Sequence, residues 1–136
     1  MIVLDEQLVN VRSGELVTQW YRGHVCYVTD LRPQTLVKDD SIPMLLHQVR
    51  QPTFVTINVD DFRQVILASD RYCVVCVELP TKRVRQLSDL IRELFRLDEF
   101  KTKATRMGKV VRVTQRSIKY YGRDRQVHRL PGLYQG

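Results

Sequence analysis

The chain of 136 residues is 43% hydrophobic and 27% charged, with a formal net charge of +7 and three cysteines. This size suits a single domain with one core, and the balance of residues excludes a disordered or collagen-like chain. No run reaches the roughly 18 apolar residues of a membrane span, and Asp5-Glu6 so near the start argues against a secretory signal, so a soluble cytoplasmic domain is expected.

Met1 to Leu4 is a short apolar run that ends in Asp5-Glu6, the pattern of a buried strand delivering carboxylates to its C-terminal edge. From about Gly14 to Tyr21, Leu16, Val17 and Trp20 recur at helical spacing, and His24 to Thr29 then alternates as a second strand. Leu31 to Lys38 contains Pro33 and no period, so it reads as a loop. Asp39, Asp40 or Ser41 can cap the following helix, which buries Met44, Leu45 and Val49 and stops at Gln51-Pro52. Thr53 to Asn58 is the third strand. Arg71 to Leu79 is rich enough in Val and Cys to be a central strand buried on both faces. Beyond Pro80, Thr81 can cap one long helix with Val84, Leu87, Leu90, Ile91, Leu94 and Leu97 on its apolar face, running to about Lys103. Lys109 to Thr114 and Ile118 to Tyr121 read as strands, and Val127 to Leu130 as a third.

Strands alternating with helices predict an α/β fold of three layers, α/β/α, around a mostly parallel central sheet. The reading divides the chain into an α/β domain over residues 1–104 and a basic β-hairpin appended to it over residues 105–136. Cys26, Cys73 and Cys76 fall in valine-rich stretches and read as reduced, packed thiols. Residues three apart on a strand face opposite ways, so Cys73 and Cys76 are not expected to share a metal.

Charge is distributed unevenly. Residues 1 to 100 carry 12 basic and 14 acidic side chains, and residues 101 to 136 carry 10 basic and one acidic. Such a basic tail suits a polyanion, because each neutralised phosphate releases condensed counterions. Lys109, Arg112, Arg116, Lys119, Tyr121 and Arg123 are the candidate nucleic-acid contacts, with one of Tyr120 and Tyr121 expected to face outward. A protective basic edge, or a hairpin that pairs with its copy in a homodimer, is the competing explanation.

Three acidic pairs fall at strand ends or a helix start: Asp5-Glu6, Asp39-Asp40 and Asp60-Asp61. Carboxylates gathered at one sheet edge repel unless a divalent cation neutralises them, and Mg²⁺ or Mn²⁺ suits oxygen ligands and can activate water against a phosphodiester. A helix cap and a turn account equally well for the second and third pairs. His24, His47 and His128 lie in separate elements with no serine or cysteine motif beside them, which argues against a catalytic triad.

Asp39-Asp40-Ser41-Ile42, a short helix, and then Thr53-Phe54-Val55-Thr56-Ile57-Asn58-Val59-Asp60-Asp61-Phe62 resemble the C-terminal half of a PIN or PIN-like domain, and Ile2-Val3-Leu4-Asp5 is similar to that family's first strand. The resemblance covers about residues 1 to 100. It implies a metal-dependent endoribonuclease fold of the VapC-like toxin type, with Mg²⁺ or Mn²⁺ as cofactor, RNA as substrate and an antitoxin protein as partner. Matched by position, Asp5, Asp39 and Asp61 are the implied catalytic, metal-facing carboxylates, Asp40 and Asp60 the adjacent alternatives as metal ligands, and Thr56 and Asn58 polar groups of the same site. The family's second-helix glutamate has no clear match, and Glu6 is the substitute. Without that glutamate the same resemblance also accommodates a non-catalytic module that binds nucleic acid or protein through a degenerate acidic site.

Overall fold

A computed structural model describes residues 1–9, 11–31, 42–57 and 68–133. Seven strands form one mixed sheet in the order β2-β1-β3-β4-β5-β6-β7. They are β1 (Ile2–Leu4), β2 (Val25–Tyr27), β3 (Thr53–Thr56), β4 (Cys73–Val77), β5 (Val110–Val113), β6 (Ser117–Tyr121) and β7 (His128–Pro131). The first five pair in parallel, and β5, β6 and β7 pair antiparallel. β5 lies in register beside β4, so the basic tail extends the same sheet.

Period-two alternation explains how that sheet is covered on both faces. On one face Ile2, Leu4, Val55, Val75, Val111 and Ile118 pack with Leu8, Val17 and the helix α4 (Leu87–Leu94). On the other, Val3, Phe54, Val74, Cys76 and Val110 pack with residues of the short helices α2 (Val28–Leu31) and α3 (Ile42–His47). A further helix, α1 (Ser13–Thr18), buries Val17 against the first core. Every residue of β4 is buried, as its Cys-Val-Val-Cys-Val sequence requires of a central parallel strand. Cys73 and Cys76 enter different cores, and burial pushes the Cys73 thiol up to about 12.

The single helix expected from Thr81 to about Lys103 is instead three pieces. A 3-10 turn spans Thr81–Gln86, α4 follows, and a separate helix α5 occupies Lys103–Arg106. Only α4 keeps the helical spacing in full, burying Leu87, Leu90, Ile91 and Leu94. Beyond it Phe100 is fully buried in the core. The new start is set by Thr102, whose extended backbone and hydroxyl form a capping box with Thr105.

Candidate functional site

The connection from β1 leads to β2 on one side, and the next strand, β3, lies on the other side of β1. Open α/β sheets bind ligands at such a reversal, beyond the carboxyl ends of the strands. Asp5 immediately follows β1, and Thr56 is the last residue of β3. The amide of Asp5 donates to Val55 O at 2.9 Å, which carries the β1–β3 ladder one residue further and brings the two side chains together.

Asp5 is only 4% exposed. Its Oδ1 accepts from the Glu6 amide at 2.8 Å and its Oδ2 from the Thr56 hydroxyl at 2.6 Å. Both bonds orient the carboxylate. A carboxylate at the strand edge carries hard oxygen atoms of the chemical type that Mg²⁺ or Mn²⁺ takes. Glu6 begins the 3-10 turn Glu6–Leu8 and is half-buried beside it.

Of the residues expected at this site, the structure brings together Asp5 and Thr56, with Glu6 adjacent. Asp39, Asp40, Asn58, Asp60 and Asp61 lie outside the described residues, as does the proposed cap at Asp39, Asp40 or Ser41. Among the described residues, no group of three or more His, Cys, Asp or Glu side chains is placed to hold a metal ion.

The basic candidates fall into distinct settings. The Lys109 ammonium donates to Glu99 O at 2.8 Å and sits over the rings of Phe100 and Tyr120. Arg123 pairs with Asp70 at 2.8 Å on the surface. Arg112 reaches Glu78 at 3.4 Å, and its register partner across the sheet is Lys119. Arg116 is exposed at the β5–β6 turn and lines a surface groove with Ser117, Arg129, Leu130 and Pro131.

Neither tyrosine of the β6 pair is an outward-facing platform. Tyr120 packs edge-on against Phe100 and stacks on His128 at 5.0 Å. Tyr121 is half-buried against the second core, where burial raises its hydroxyl to about 12. The alternation of β6 puts the two on opposite faces, and each face already carries core there.

Two cations were not singled out by sequence reasoning. Arg129 faces the same way as Lys119, its register partner on β7. Its signal is the alternation of β7, visible only once the β6–β7 register is known. Arg106 is 5% exposed, with its guanidinium 4.1 Å above the Phe95 ring and donating to Phe100 O and Lys101 O. An arginine in so polar a stretch carries no sign of burial.

Comparison with known proteins finds no matching family model, no matching curated protein and no matching solved structure.

Proposed function

We propose that the chain is a PIN-like, Mg²⁺- or Mn²⁺-dependent endoribonuclease whose metal is held at the carboxyl edge of the sheet, with the basic tail binding the RNA. The observation that carries this reading is Asp5, a buried carboxylate oriented by Glu6 N–H and the Thr56 hydroxyl at the β1–β3 reversal. Asp5 is the ligand, Thr56 holds its orientation, and Asp39 and Asp61 complete the acidic set on the family resemblance. The bound cation supplies charge stabilisation and an activated water. An antitoxin-type partner follows from the same resemblance.

A non-catalytic nucleic-acid-binding module is the second reading. Its support is Glu6: among the described residues no hydrogen bond orients that carboxylate, which stands in for the family's second-helix glutamate.

Thermal melting during a Mn²⁺ titration separates the two, since a ligand that binds only the native state raises stability with the logarithm of its concentration above Kd. The nuclease reading expects the melting temperature of the wild type to climb with Mn²⁺ and that of Asp5→Asn to stay flat. Equal, flat responses from both proteins contradict it.

A further inference from the structure

Arg112, Lys119 and Arg129 are direct register partners across β5, β6 and β7. Alternation puts all three on the face of Val110 and Cys76, the second core's side. With neighbouring strands about 4.8 Å apart, the three positions form a row about 10 Å long. The row ends where Arg112 meets its β4 partner Cys76, which is fully buried in the second core.

Like charges placed directly opposite one another across a sheet are destabilising, so a row of three needs a reason. Protection of a sheet edge does not supply it, because among the described residues β5 and β6 are paired on both sides, and of these three strands β7 alone lies at an edge. Internal neutralisation supplies little. Among the described residues Arg112 has one ion pair, at 3.4 Å to Glu78, and its buried Nε has no hydrogen-bond partner there. Lys119 and Arg129 take part in no ion pair among the described residues. Lys109 and Arg123, by contrast, are engaged within the protein.

We propose that Arg112, Lys119 and Arg129 form a cationic ladder that binds consecutive phosphates of a single-stranded nucleic acid. A backbone polyanion matches a linear row of cations better than a compact anion does, and each phosphate bound displaces condensed counterions. The proposal rests on the nuclease reading only in naming the cations that would hold its RNA, and the binding itself does not depend on cleavage.

The test is fluorescence anisotropy of a labelled, unstructured RNA dodecamer in EDTA, measured against salt concentration. The proteins are the 136-residue wild type, Lys119→Gln/Arg129→Gln and Arg123→Gln. The ladder predicts that the double variant flattens the plot of log affinity against log salt by about 1.4, roughly 0.7 for each lost contact, while Arg123→Gln, whose guanidinium is paired with Asp70, keeps the wild-type slope. It also predicts that the double variant is no less stable than the wild type without RNA, because repulsion is relieved. A wild-type slope in the double variant overturns the ladder. So does a loss of binding to polyglutamate with RNA binding unchanged, which would assign the row to an acidic protein. Should the wild type cleave no RNA but the slopes follow the prediction, the ladder stands and the nuclease reading alone fails.

Discussion

The Thr56 hydroxyl lies 2.6 Å from Asp5 Oδ2, so a bond between residues 51 apart in sequence ties together the ends of two neighbouring parallel strands. The orientation of the carboxylate is therefore tied to the β1–β3 register. Removing the hydroxyl while keeping the shape, as in Thr56→Val, takes one donor from a buried charge. The expected cost is about 1.5–3 kcal/mol in urea unfolding at neutral pH. In an Asp5→Asn background the same change costs less, and a double-mutant cycle should show coupling of about 0.5–3 kcal/mol. Strict additivity would show that the bond contributes nothing specific.

Arg106 gives a second prediction. Its buried guanidinium stacks on Phe95 and donates to Phe100 O and Lys101 O in the segment that leads into α5. Arg106→Ala leaves those carbonyls short of a donor and removes the stem's packing, for a loss of about 2–4 kcal/mol. Lysine has a compact ammonium that does not reproduce the planar fork, so Arg106→Lys should recover less than half of it. Full rescue by lysine, read from denaturant midpoints, would show that only the charge matters there.

A third concerns alkaline pH. Burial holds Cys73 and Tyr121 at about 12, above their ordinary values of 9.0 and 10.0. The native state therefore keeps protons that the unfolded chain loses, and stability must fall as pH rises. The contribution is intact below about pH 9 and is lost progressively from pH 9 to about 12, on the order of a few kcal/mol in total. Cys73→Ala should be less stable at pH 7 yet show a shallower decline above pH 9. Parallel curves for the two proteins would exclude Cys73 as a source of the decline.

The same burial predicts slow thiol chemistry. Cys26, Cys73 and Cys76 are all buried, Cys73 and Cys76 completely. At pH 8 a disulfide reagent should label Cys73 and Cys76 only at the rate of opening, and all three thiols at once in denaturant. Immediate labelling of two or more thiols in the native protein would contradict this packing.

Much of this architecture is legible in the chain because burial imposes periodicity. Cys73 to Val77 has the apolar continuity of a strand covered on both faces, and Ile2 to Asp5 carries its charge where the strand leaves the core. The long helix was misread because Val84 and Leu97 continue the apolar spacing of α4 although the backbone leaves it on both sides. Spacing records which side chains face inward, and turns can satisfy it as well as a helix. The Thr102–Thr105 capping box was the local sign of the second start. The pairing of β5 with β4 was illegible, since partner choice depends on how the intervening crossover packs and not on β5 itself. At the candidate site, Asp5 was readable from its strand-end position, whereas its partnership with Thr56 needed either the family resemblance or the register.

Cleavage of a circular, fluorophore-labelled single-stranded RNA by full-length protein, with Mn²⁺ or with EDTA, tests the central claim most directly, because only an endonuclease can open a circle. The wild type should linearise the RNA in Mn²⁺ and leave it intact in EDTA. Asp5→Asn, folded by circular dichroism and binding the RNA as tightly as the wild type, should lose cleavage by about 10²-fold or more, as expected when a preorganised charge at the reacting centre is removed. Equal rates for wild type and Asp5→Asn, or no Mn²⁺-dependent opening by the wild type, would contradict the assignment of Asp5 to a catalytic metal.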